Sequence, residues 1–170
     1  MIRRLALSVS ALLLVSACAT TEKPSSQAPA AFRTADFTWS SASGRGRVDG
    51  RLVYRSGGKA YSCTSSGVVL TPETPWTRQR MEILYKSSSH AVLPAAEARA
   101  RTPTGRTGDY SAFVKHADCN SAGDFSFEGL PNGTWFAITV AKPVAPASGP
   151  DMAIMQRVEI RDGGTVSVRL

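Results

Sequence analysis

The stretch Cys119-Asn120-Ser121-Ala122-Gly123-Asp124-Phe125-Ser126-Phe127-Glu128-Gly129-Leu130-Pro131-Asn132-Gly133-Thr134-Trp135-Phe136 decides the fold class. Gly123 suits an opening turn. Phe125 and Phe127 alternate with Ser126 and Glu128 at the two-residue period of a strand with one buried face. Leu130-Pro131-Asn132-Gly133 supplies a second turn, after which Trp135 or Phe136 re-enters the core. The segment reads as a β-hairpin whose aromatic side chains fill a sandwich.

Short strands broken by turns continue on both sides. Upstream, residues 47–54 alternate loosely and end at the turn Ser56-Gly57-Gly58, and residues 60–70 form a second extended stretch stopped by Thr71-Pro72-Glu73-Thr74-Pro75. Further strands are expected at 110–115, 124–128, 134–142, 152–160 and 165–170, with Asp162-Gly163-Gly164 as a hairpin turn between the last two. One segment departs from this pattern. Thr74 can cap a helix, Pro75 suits its first position, and Trp76 to Tyr85 contains good helix formers. Residues 86–108 read as a loop, with a brief helical turn near 95–101. The expectation is an all-β sandwich of about seven strands, transthyretin-like or Ig-like, with one short helix inserted.

The hairpin phrase also resembles the carboxypeptidase regulatory-like domains, a transthyretin-like sandwich family. The shared elements are a polar-Gly turn, Phe125-x-Phe127, and Leu130-Pro131-Asn132-Gly133 followed by an aromatic. Val48-Asp49-Gly50-Arg51-Leu52-Val53 is similar to the family's opening strand, and Val158 to Val168 to its closing hairpin. The likeness spans residues 44–170. The helix at 76–85, the loop at 86–108 and the pair Cys63 and Cys119 depart from it. Members of that family generally act as packing, spacing or adhesion modules, so the resemblance implies a non-catalytic domain.

The N-terminus carries an address. Met1-Ile2-Arg3-Arg4 is positive and Leu5 to Ala17 is an uncharged, mostly apolar run too short to span a bilayer, as in an export signal. Leu14-Val15-Ser16-Ala17-Cys18 resembles the lipobox of bacterial lipoprotein precursors, which implies cleavage before Cys18 and acylation of that cysteine. Several acyl chains make a stable anchor, because each buried CH₂ adds ~0.8 kcal/mol. Ala19, where sorting rules of this kind place Asp in retained proteins, points to the outer membrane, with the domain facing the periplasm. Residues 1–17 are thus expected as a signal, 18–35 as lipidated cysteine and tether, and 36–170 as the folded domain. The tether is rich in Ala, Ser, Thr and Pro without apolar period, and its typical reach is roughly 20–25 Å.

Loss of Arg3 and Arg4 with the signal lowers the formal charge from +7 to +5. That balance fits an anionic envelope polymer or a lipid surface. Nucleic acid is excluded as a partner because an exported protein does not meet it and the basic residues form no single stripe. Once Cys18 is lipidated, Cys63 and Cys119 remain as an even pair in an oxidising compartment, read as a disulfide in preference to a metal pair or catalytic thiol. On the chain-entropy model the bridge contributes roughly 4 kcal/mol.

No residue set defines a reaction. Asp118-x-Asn120-x-Ala122-Gly123 opens like a calcium loop, but its fifth and twelfth positions are Ala122 and Gly129, which leaves too few oxygens. His90 and His116 lack a nucleophile elbow or zinc motif, and Ser87-Ser88-Ser89 is a serine-rich loop. No catalytic residue, metal or cofactor is expected. Trp76, Arg78, Arg80 and Tyr85 are candidates for partner binding, because Arg, Trp and Tyr anchor interfaces. Equally, Trp76, Met81 and Leu84 could simply cover a sheet edge. The reading is a membrane-anchored binding or scaffolding module. Alternatives are a lipoprotein that docks into a secretion or envelope complex, and a Ser/His envelope hydrolase.

Overall fold

Strand β8, Gly133–Pro143, is the axis of the molecule. The computed structural model describes residues 29–104, 108–146 and 148–170; the signal, Cys18 and most of the expected tether lie outside the described residues. Before β8 come β1 (Gly46–Arg51), β2 (Arg55–Ser56), β3 (Lys59–Ser62), β4 (Val68–Pro72), α1 (Pro75–Tyr85), β5 (His90–Pro94), α2 (Ala95–Ala100), β6 (Lys115–Ala117) and β7 (Asp124–Leu130). After it come β9 (Met152–Ile160) and β10 (Thr165–Arg169). Antiparallel β8 pairs with β9 along most of its length, with β4 over residues 135–138, and with β3 at its end. Adding β5 on β9, β6 on β4 and β2 on β3 completes a seven-stranded sheet. The second sheet has the order β10–β1–β7, with β1 parallel to β10 and antiparallel to β7. The all-β sandwich is therefore as expected, but among the described residues it has ten strands where about seven were read.

Alternation along β8 builds two layers of core. Trp135, Ala137 and Ala141 point into the space between the sheets, where they join Val48, Leu70, Phe125, Phe127, Ile154 and Val158. Phe136 points the other way and packs with Met81 of α1 and Met155 of β9. Helix α1 thus lies over the outer face of the large sheet, not along an edge. Its start is fixed locally: Thr74 Oγ1 accepts from the Thr77 N–H at 3.1 Å, and Thr77 Oγ1 accepts from the Thr74 N–H at 2.8 Å. Both threonines are buried, and Pro75 fills the first turn without losing a needed donor.

Where the strand expectations failed, pairing overrode pattern. Neither expected hairpin forms, because the turns at Leu130–Gly133 and Asp162–Gly164 carry the chain from one sheet to the other. Strands β7 and β10 both pair with β1, while β8 and β9 pair with each other. The stretch 60–70 is two strands, because Gly67 (φ +63°) turns the chain and its N–H donates to the Cys63 carbonyl. The expected loop 86–108 contains β5, whose Ala91-Val92-Leu93 pairs with β9, while α2 lies where the brief helical turn near 95–101 is expected. The expected strand 110–115 is a 3-10 turn at Ser111–Phe113 followed by β6. Cys63 and Cys119 form the expected disulfide, with Cα atoms 5.7 Å apart and a sequence separation of 56. Both are buried, so the bridge ties the turn after β3 to the chain entering β7 from inside the core. Chain packing begins before residue 36. The Ala30 N–H donates to Gln79 Oε1 at 2.8 Å, and Phe32 packs against Trp76 with ring centroids 5.3 Å apart.

Candidate functional site

Helix α1 has two unlike flanks. On one, Trp76 packs between Phe32 and Tyr110, at 5.3 and 5.2 Å, and Phe37 stacks on Phe113 and Tyr110. Arg80 places its guanidinium 5.5 Å from the Trp76 ring centre, a cation–π contact that takes the positive charge into the cluster. Tyr85 packs against the Met81–Phe136–Met155 group. Burial pushes its phenol up to about 12, assisted by Tyr110 and partly opposed by Arg80. Three of the four candidate partner-binding residues are therefore engaged in internal packing. Arg78 alone projects, and it does so into a cleft on the other flank.

That cleft has a volume of about 590 Å³, within the range of small-ligand sites. Its floor is Glu73, which continues from β4 by donating its backbone N–H to the Thr134 carbonyl at 2.8 Å. The Glu73 side chain is only 6% exposed. Arg157 of β9 donates from Nε to Oε2 at 2.7 Å, and Arg78 engages Oε1 in an ion pair through a terminal nitrogen. One buried carboxylate therefore holds two arginines, whose side chains remain 34% and 52% exposed respectively.

Trp39 walls the cleft. It comes from the 3-10 turn Thr34–Ser41 and meets the buried Trp135 edge-on, with centroids 5.0 Å apart. Gly133 makes this approach possible, since a Cβ there would lie 2.7 Å from Trp39 Cη2 and 2.9 Å from Cε3. Its φ of +145° also disfavours any other residue. Two amides complete the rim. Asn132 Oδ1 accepts from the Gly163 N–H at 2.8 Å, and Gln79 Oε1 accepts from Ala30 as noted above. The arrangement offers an aromatic wall, fixed N–H donors and no activated nucleophile. It can bind and orient a polar ligand with one flat apolar face.

A second group of charged side chains pairs elsewhere. On the exposed face of the three-stranded sheet, Arg47 donates from Nε to both oxygens of Asp49 at 2.7 and 2.8 Å and also reaches Glu128, while Arg51 pairs with Asp124. Hydrogen bonds from Arg47 and then Ser126 hold the Asp49 carboxyl below its ordinary value. Arg51, followed by Asn120, does the same for Asp124. Asn120 Oδ1 accepts from the Ala122 and Asp124 N–H groups, so the calcium-like phrase is a turn. No group of three or more His, Cys, Asp or Glu side chains suited to a metal occurs among the described residues.

Neither histidine has a triad geometry. His90 Nδ1 meets Gln156 Oε1 at 2.9 Å, and only its backbone N–H contacts Ser87. Near His116, Ser111 Oγ donates directly to Asp109 at 2.7 Å, whereas a triad requires the imidazole between hydroxyl and carboxylate. No helix among the described residues is long and apolar enough to cross a membrane.

No family model matches the chain, and no curated protein matches it. A crystal structure from Pseudomonas aeruginosa, named "putative carbohydrate binding protein", shares its fold, with a TM-score of 0.57 over 82% of this chain and 97% of that one at 18% identity. The likeness at that identity is one of fold. Together these describe a β-sandwich with a cleft lined by Trp39, Glu73, Arg78 and Arg157.

Sequence reading found Arg78 and missed Trp39, Glu73, Gln79, Asn132 and Arg157. In sequence, Asn132-Gly133 reads purely as a turn and Glu73 as part of a stop. The one available signal was Glu73 itself, an acid wedged between Pro72 and a helix cap at the end of a buried strand.

Proposed function

We propose that this chain is a non-catalytic binding module of the bacterial envelope, carried on the outer membrane by acyl chains on Cys18, and that its ligand is a carbohydrate. The observation that carries the reading is the cleft beside α1. An indole and side-chain donors line the same cleft, and this is the pairing a pyranose needs, since one face of such a ring presents C–H groups and its rim presents hydroxyls. The fold shared with the P. aeruginosa protein supports the choice of carbohydrate. The lipobox-like Leu14 to Cys18 supports the anchor, and the phrase from Gly123 to Trp135 supports a place among the carboxypeptidase regulatory-like modules.

The test uses the lipidated chain in uncharged detergent micelles on a glycan array, beside Trp39→Ala. Retention of at least one saccharide, lost in the variant, is expected. Failure to retain any saccharide, or retention indifferent to Trp39, contradicts the reading. The anchor has its own test: intact mass of the mature protein should show a diacylglyceryl or triacyl N-terminus at Cys18, and an unmodified cysteine would remove it.

A further inference from the structure

The geometry points to a more specific ligand: we propose that the cleft selects saccharides bearing carboxylates, with Arg78 and Arg157 as the recognising groups and Glu73 as the residue that positions them. This rests on the carbohydrate reading above and adds the chemistry of the sugar.

The argument is a census of donors and acceptors. A side-chain amide has one acceptor oxygen and two N–H donors. In both Asn132 and Gln79 the oxygen already accepts a backbone N–H of the protein, so two N–H donors against one further lone pair are left for a ligand. The arginines have no acceptor at all. Glu73 takes Nε of Arg157 and one terminal nitrogen of Arg78, and Arg157 Nη2 lies 3.5 Å from the Thr134 hydroxyl, which leaves further N–H groups on both guanidinium forks. Against these donors the lining sets the Thr134 hydroxyl and Glu82. A sugar hydroxyl both donates and accepts, so a donor-rich wall uses only half of it. A carboxylate only accepts, and a guanidinium fork matches it in two parallel bonds.

Glu73 explains why two arginines can share one wall. Its two oxygens take one guanidinium each, which offsets their mutual repulsion and restricts both side chains. Glu82 works the other way. Exposed on α1 at the rim, it brings the formal charge of the lining, Arg78 and Arg157 against Glu73 and Glu82, to zero. Selectivity then comes from the orientation of donors and not from net charge, and removing the Glu82 charge should strengthen it.

Isothermal titration calorimetry of the lipidated chain in uncharged micelles can separate these terms. The probes are an oligogalacturonate and its methyl ester, which keeps the ring and removes the charge. The acid is expected to bind at least about tenfold tighter than the ester, with the preference lost in Arg78→Gln and raised a few-fold in Glu82→Gln. Arg78 is half exposed, so its replacement leaves the core intact. Equal affinity for acid and ester, or a preference that survives Arg78→Gln, overturns the proposal. If neither uronate form binds while other saccharides bind through Trp39, the carbohydrate reading stands and this inference falls. If no saccharide binds at all, both fall.

Discussion

Two groups of arginine and carboxylate side chains occupy opposite parts of this molecule, and they do different things. On the three-stranded sheet, Arg47, Arg51, Asp49, Asp124 and Glu128 lie in water and pair locally. Exposed pairs of this kind contribute little, because water screens the attraction and ordering long side chains costs entropy. In the cleft, a single nearly buried carboxylate serves two arginines. A buried Glu73 without partners would be costly, so it commits both guanidinium groups to one geometry while leaving their outer edges unengaged. The same residue types therefore make a solvated surface in one place and a prepared site in the other. Stoichiometry and burial, not charge count, separate the two.

The sharpest way to break that comparison is to remove each acid in turn. Glu73→Ala strands two adjacent guanidinium groups and should cost about 2–3 kcal/mol in urea unfolding, somewhat below the range for fully buried pairs because both arginines reach water. Asp124→Ala should leave the urea midpoint unresolved from the parent. Similar losses at the two positions would erase the distinction.

Gly133→Ala comes next, with about 2 kcal/mol expected from a Cβ driven into Trp39 at an unfavourable backbone conformation. The indole would have to leave the cleft wall, visible as a red-shifted tryptophan emission. An unchanged spectrum and midpoint would mean that Gly133 does not place Trp39.

Burial also governs the pH limbs. The Tyr85 phenol is raised by desolvation from 10 to about 12, so the folded state holds its proton more tightly than the unfolded one. Stability from this group is complete below pH 10 and is lost as pH rises from 10 towards 12, by up to about 2 kcal/mol. Tyr85→Phe should flatten that part of the alkaline limb, and an identical limb in the variant would contradict the assignment. The sheet shows the opposite sign with the smallest effect. Asp49 and Asp124 are lowered in the folded state, so their contribution is present above the ordinary carboxylate range and is lost as pH falls through and below it. Arg51→Gln should move the Asp124 titration, followed by its side-chain carbon shift, upward towards its ordinary value. A titration that stays where it was would show that Arg51 does not set it.

How much of this was legible in sequence follows from the range of the interactions. The strands through Phe125-Phe127 and Trp135 were readable because strand period and turn chemistry are local, and so was the Thr74–Pro75 cap. Their pairing was not, since β7 joins β1 in one sheet and β8 joins β9 in the other. The disulfide was readable from the count of cysteines and the export that the N-terminal segment implies. Strand β5 was not, since Ala91-Val92-Leu93 is too short to signal a strand and exists by pairing with β9, more than fifty residues away. The sequence leaves the helix face open between surface and interior because Trp76, Arg80 and Tyr85 suit both, and the packing of Trp76 depends on Phe32 and Tyr110, which arrive from distant segments. The cleft was invisible for the same reason. Trp39, Glu73, Asn132 and Arg157 come from four separate segments, and no spacing rule connects them.

The most direct test of the central claim is to titrate ¹⁵N-labelled protein with oligogalacturonate and follow the Trp39 indole and arginine Nε–H signals. The account predicts saturable shifts at Trp39, Arg78 and Arg157, with Arg47 and Arg51 unmoved. Shifts confined to Arg47 and Arg51, or signals at Trp39 that never respond, would contradict it.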